Sequence, residues 1–213
     1  MSFLCKTIIC LFLPLILPSY SLAEIVKLKS GQIIEGKILT QDEKSISIDV
    51  GLSNPVTYFS DEIQDILQDD LKGYYKKLKQ KADLLEAHAI DAIDNNQMDN
   101  GIALMKQAVD VDSSPMRRMS YASILFGNGA AEYKAGKREE GTHVLGDAEN
   151  QLSLAIADFH PLEDAVYLAQ AYFLLGEIYL YAYANMRQAK IFYQKALYYY
   201  DNEGAKTALE RLN

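Results

Sequence analysis

The hydrophobic period of this chain changes once, and that change limits the folds open to it. From Glu24 to about Leu67 apolar residues alternate with polar ones in EIVKLK, QIIEGKILT, SISIDV and PVTYF, with SGQ, QDEK and GLSN between them as turns. From about Asp70 onward they recur at steps of three and four, beginning with Leu78, Ala82, Leu85, Ala89 and Ala92 in LKGYYKKLKQKADLLEAHAIDAIDNN. Strands followed by helices make the fold class α+β, mostly α. The expected strand core is Ile25, Val26, Leu28, Ile33, Ile34, Ile38, Ile46, Ile48, Val56 and Tyr58, and SDEIQDIL closes the segment with a single turn and a short last strand. Four or five short strands are too little sheet for a sandwich. Curling into a small barrel would remove most of the exposed edges.

The chain opens with MSFLCK, whose one cation is Lys6, followed by the apolar run TIICLFLPLILP and by SYSLA, with small residues at Ser21 and Ala23. This pattern predicts a signal peptide over residues 1–23, cleaved before Glu24, with an uncleaved N-terminal anchor as the alternative. The run is too short for a bilayer and carries Pro14 and Pro18. Export is therefore expected, with the periplasm as the compartment. Both cysteines, Cys5 and Cys10, lie inside the leader, so the remainder has no disulfide, thiolate nucleophile or cysteine metal site. The formal charge is −8, and losing Lys6 makes it one unit more negative. Phosphate neutralisation needs clustered Lys and Arg, so nucleic acid is not the expected partner.

In VKLKSGQIIEGKI a hydrophobic strand leads into a turn at Gly31, and Gly36 sits inside the next strand. This stretch resembles the opening of the Sm-like small β-barrels, with Gly36 suiting a strand that bends sharply to close the barrel. The resemblance implies a closed barrel over 24–68. Sm-like proteins often bind RNA; the export signal and the acidic charge argue against that use, and a structural or docking module is expected.

The helical part, 69–213, repeats itself. Tyr172, Leu175-Gly176 and Tyr179 fall on one helix, Ala189, Tyr193 and Ala196 on the next, and Asp201-Asn202 close it. This is similar to a tetratricopeptide repeat, in which small residues let paired antiparallel helices approach closely and large ones fill the gaps. One extra residue lies in the turn around Asn185-Met186, and YDNEGAKTALERL resembles a capping helix. Weaker copies run through Leu125, Gly129, Ala135-Gly136-Lys137, Gly141, Leu145 and Ala148, and through Leu85, Ala89, Ala92, Gly101, Met105 and Ala108. Ala108, Ala148 and Ala196 are 40 and 48 residues apart, against about 34 in tandem tetratricopeptide repeats. Helices are therefore longer than standard or connections carry insertions.

The aromatic stretch AYFLLGEIYLYAYANMRQAKIFYQKA contains Glu177, Arg187 and Lys190, so it is not a membrane span. Tyr172, Tyr179 and Tyr193 read as core, whereas Phe173, Leu180 and Tyr181 lie one helical face away. The resemblance implies that this face lines a concave groove. The same offsets give Phe126, Ala130, Tyr133 and Lys134 in the middle copy, and Glu86, Ile90, Ile93 and Asp94 in the first. The candidate partner-binding residues are Glu86, Ile90, Phe126, Tyr133, Lys134, Phe173, Glu177 and Tyr181, with packing against a neighbouring helix or second subunit as the alternative. Of Tyr198-Tyr199-Tyr200, at least one must be exposed.

No motif carries chemistry. His88, His143 and His160 each have a carboxylate at helical spacing but no second histidine, and DNNQMDNG lacks the calcium-loop register. No catalytic, cofactor-binding or metal residue is assigned, and no cofactor is expected. The sequence points to an exported, non-catalytic scaffold or adaptor that holds a protein or peptide in a tetratricopeptide-like groove. A homo-oligomer built through the aromatic faces is one alternative. An envelope enzyme or small-ligand-binding protein with a pocket between barrel and stack is another.

Overall fold

The computed structural model describes residues 24–67 and 70–212; the expected leader, residues 1–23, lies outside the described residues. The chain divides into two units between Tyr74 and Tyr75.

The first unit is an antiparallel sheet of β1 (Glu24–Leu28), β2 (Ile33–Gln41), β3 (Ser45–Asp49), β4 (Val56–Phe59) and β5 (Ile63–Leu67), in the order β4-β3-β2-β1-β5. Alternation puts Val26, Leu28, Ile46 and Ile48 inside, with Ile34, Ile38, Val56 and Tyr58 packed against them. The long strand β2 changes partner midway. Ile33 to Gly36 pair with β1, and Lys37 to Gln41 pair with β3. Gly36 stands at that change, where a Cβ would strike the Asp49 carbonyl and come within 2.7 Å of Ile48 Cγ1.

The expected closed barrel is not what forms: the sheet is open, with β4 and β5 as its two edges. It does curl. In a flat sheet these edges would lie about 19 Å apart, four strand spacings, yet the link from Phe59 to Ile63 can span at most about 14 Å. The edges therefore converge at this corner without pairing. Phe59 N–H donates to the Glu62 carboxylate at 2.9 Å, and the Phe59 carbonyl accepts from Glu62 N–H at 2.9 Å. The turn thus satisfies groups that a closing ladder would use.

Among the described residues three antiparallel helix hairpins and a last helix follow, and apart from residues 71–74 they belong to the second unit. They are α1 (Leu71–Asp94) with α2 (Met98–Val111), α3 (Pro115–Lys134) with α4 (Arg138–Asp158), α5 (Ala165–Tyr181) with α6 (Met186–Tyr199), and α7 (Glu203–Arg211). The hairpins follow one another as a stack, as the sequence repeat predicts. Pro115 starts α3 at its first turn, where its missing N–H costs nothing. Asn185 and Asn202 cap α6 and α7, accepting from Gln188 N–H at 3.1 Å and Ala205 N–H at 2.9 Å.

Each hairpin turns through one left-handed residue two positions before its second helix: Asn96 (φ 61°), Gly136 (φ 89°) and Ala184 (φ 50°). In the first two, Gln97 N–H reaches Ala92 O at 2.8 Å and Lys137 N–H reaches Glu132 O at 3.1 Å, the six-to-one bond of a Schellman motif. In the third, Asn185 N–H reaches back one residue further, to Tyr179 O at 2.8 Å. That is the extra residue seen in the sequence. The turns recur at 40 and 48 residues because α3 and α4 run to 20 and 21 residues and a loop over 159–164 precedes α5.

Small residues set how close the helices come. A Cβ on Gly141 would lie 2.6 Å from Tyr133 N and 2.8 Å from Gly129 O, so α3 and α4 touch backbone to backbone. Gly176 lies against the ring of Tyr193, and Gly101 against Ala89 O and the side chain of Ile93. Met105, Leu125, Leu145, Leu152, Leu175 and Ile178 form one core with the alanines around them, and Ala189, Tyr193, Ala196 and Ala205 a second under α7.

Two outcomes are expected. Gly141→Ala forces α3 from α4 and lowers stability by about 1–3 kcal/mol in denaturant unfolding, although alanine is the better helix former. Ala184→Gly relieves the left-handed strain and raises stability by about 0.5–1 kcal/mol in the same measurement.

Candidate partner-binding groove

The second unit has two parallel stripes, one on each of two first helices. On α3, Phe126, Ala130, Tyr133 and Lys134 follow steps of four, three and one; on α5, Phe173, Glu177, Leu180 and Tyr181 follow the same steps. Such residues share one helix face. With Leu145 of α4, the α3 stripe and the Glu177–Tyr181 end of α5 enclose a cavity of about 460 Å³. A second of about 450 Å³ adjoins it, between the α5 stripe and Glu203, Gly204, Thr207, Ala208, Arg211 and Leu212. Glu177 and Tyr181 belong to both, so one groove runs from α3 past α5 to α7.

Four aromatic residues, Phe126, Tyr133, Phe173 and Tyr181, line it among aliphatic and charged ones. The Tyr181 ring is 56% exposed; Phe126 and Tyr133 are half-buried, and Lys134 is exposed beside them. Arg138 stacks over the Tyr133 ring with 5.7 Å to the centroid. Phe173 is as much core as wall. It packs on the face of Gly204, where a Cβ would come within 2.9 Å of its ring, and lies 6.0 Å from Tyr193 between centroids.

The polar floor is held from behind. The fully buried Tyr193 donates its hydroxyl to Glu177 Oε1 at 2.7 Å. On another face of the stack, Glu149 of α4 accepts from Tyr179 at 2.8 Å and Tyr183 at 2.7 Å, one hydroxyl to each oxygen. Burial first, and then the hydrogen bond to Glu177, push the Tyr193 phenol well above its usual range. Burial and the bond to Glu149 do the same for Tyr183, and for Tyr179 the bond to Glu149 is the larger cause.

The structure thus brings Phe126, Tyr133, Lys134, Glu177 and Tyr181 around one cavity, with Phe173 in its neighbour. It does not bring in Glu86 and Ile90. Ile90 is exposed on α1, and Glu86 accepts from Arg117 Nε at 3.1 Å. Arg117, only 5% exposed, also pairs with Asp83 and Asp112, tying α1 and the end of α2 to the first turn of α3. Its partners Asp83 and Glu86 lie more than thirty residues away, so local spacing held no signal for it. Arg211 and Thr207 on the groove wall were also missed, although the step-of-four pattern from Gly204 to Ala208 marked that face of α7.

Elsewhere Tyr198 and Tyr200 of the tyrosine run are exposed, while Tyr199 stacks on Tyr172 at 5.6 Å. His143 lies 3.9 Å from Asp147 with both side chains exposed. His160 sits in the loop before α5, where its N–H donates to Asp164. Among the described residues no three His, Cys, Asp or Glu side chains gather to hold a metal, and no helix is long and apolar enough to cross a membrane.

No family model matches this chain, and no curated protein matches it. Among solved structures it is similar to the first TPR of Spaghetti (RPAP3) bound to HSP90 peptide SRMEEVD. The identity is 21%, covering 63% of this chain and 91% of that one, with a TM-score of 0.46.

The phenol directions fix a pH dependence. Below about pH 10 Tyr193 is protonated both folded and unfolded. Above it the unfolded chain releases the proton first, so stability falls by about 1.4 kcal/mol per pH unit for this group. In urea unfolding between pH 9 and 11, Tyr193→Phe is expected to show a shallower decline than the parent.

Proposed function

We propose that this protein is an exported, non-catalytic adaptor whose helical stack holds a protein or peptide segment in the groove from α3 to α7. The observation that carries this reading is the pair of cavities meeting at Glu177 and Tyr181, lined by Phe126, Tyr133, Tyr181 and Phe173. Tyrosine offers a large contact area with few rotamers to freeze, which suits recognition of another chain. Export rests on the n-region, apolar run and Ser21/Ala23 site of residues 1–23. The sheet of the first unit serves as a structural or docking module.

A second reading has its own observation. Leu162 and Tyr198 are 84% and 83% exposed, and association of copies through such residues would cover them.

Tyr133 and Tyr181 are the residues to replace, because Phe173 also supports α7. In an affinity capture from envelope extract, the Tyr133→Ala/Tyr181→Ala double variant, with unchanged circular dichroism and Tm, is expected to lose a protein that the parent retains. Purified, that protein should bind the double variant at least about 10-fold more weakly in calorimetry. Equal affinity for parent and variant would refute the groove. A mass that rises with concentration, and no foreign protein retained, would favour the homo-oligomer.

A further inference from the structure

Glu177 occupies the place where the two cavities join, and its carboxylate is anchored at one oxygen. One oxygen accepts from Tyr193, whose ring is wholly buried and set against Gly176 and Phe173. The carboxylate makes no ion pair among the described residues. Two cations line the same cavities without contacting it. Lys134 lies exposed at the outer end of the α3 stripe and Arg211 in the last turn of α7; neither is within ion-pair distance of it. Glu203, the other acid on the wall, is paired with Lys206 at 2.9 Å.

A carboxylate offers about four acceptor sites, and Tyr193 fills one. A wholly apolar occupant would desolvate the carboxylate and leave the charge unmatched, which is unfavourable. An occupant carrying a cation at that point restores both the charge balance and the hydrogen bonds.

Resting on the groove reading above, we propose that the groove selects a protein segment that sets a Lys or Arg against Glu177, beside a large apolar side chain seated between Phe126 and Tyr181. Tyr193 is a positioning residue in this scheme: it touches no partner but holds the carboxylate in place. The chain's formal charge of −8 favours approach of a basic segment at long range.

The test is selection of a displayed random dodecapeptide library on the purified protein and on its Glu177→Lys and Tyr133→Ala/Tyr181→Ala variants. The parent is expected to enrich peptides with Lys or Arg within a few residues of Leu, Phe, Tyr or Trp, and Glu177→Lys to enrich Asp or Glu instead. A recovered basic peptide should bind Glu177→Gln, whose amide oxygen still accepts from Tyr193, about 10-fold more weakly. It should also weaken on Tyr193→Phe, while its norleucine analogue binds parent and Tyr193→Phe alike. Peptides lost with Tyr133→Ala/Tyr181→Ala but showing no basic preference would overturn the charge inference and leave the groove standing. Enrichment of no peptide that depends on Tyr133 and Tyr181 would overturn both.

Discussion

Direct backbone contact between paired helices is the constraint on which the rest of the second unit depends. Where Gly129 of α3 meets Gly141 of α4, neither position has room for a Cβ. A helix pair usually rides on its side chains at 8–10 Å, and contact at this level removes that cushion. Once the axes come so close, the large residues of the same faces have only the flanking gaps to fill. Leu125, Leu145 and Leu152 belong to the core beside this contact. The third hairpin reaches a similar end by another route, with the flat ring of Tyr193 against Gly176. That contact carries a hydroxyl through the core to the groove, which joins packing to recognition.

Much of this could be read from the sequence, and the reasons are local. A change of period from two to 3.6 reports which side of each element meets the core, since burial is what imposes the pattern. Gly129, Gly141 and Gly176 mark close approach because glycine is otherwise unfavourable inside a helix. The offsets that placed Phe126, Tyr133 and Lys134 on one stripe, and Phe173, Glu177 and Tyr181 on another, follow from helix geometry alone. They remained valid on α3 and α5.

The rest was not legible, because it depends on meetings between distant parts of the chain. The same offsets on α1 led to Glu86 and Ile90. What a first helix presents depends on what lies opposite it, and opposite Glu86 stands Arg117. A guanidinium so deeply buried requires the acids it finds in Asp83, Glu86 and Asp112. The open sheet has a similar origin. Gly36 and the alternation are compatible with closed and open forms alike. The difference lies in the outer N–H of Phe59, which is satisfied by Glu62 three residues on.

Glu149 has a mechanical consequence. Its two oxygens hold the hydroxyls of Tyr179, near the end of α5, and Tyr183, in the turn that follows, and so fasten the tip of the last hairpin to the middle one. In a linear array each unit's persistence depends on its own strength and on its junction with the next. A carboxylate bridging the two hairpins strengthens the junction without adding to either hairpin alone. Opening the last hairpin must break that bridge, and α7 rests on the same hairpin through Ala205 and the Phe173 ring at Gly204. Parting α5 from α4 at this end therefore costs two hydrogen bonds to one carboxylate, whereas among the described residues α7 is held by packing on α5 and α6 alone.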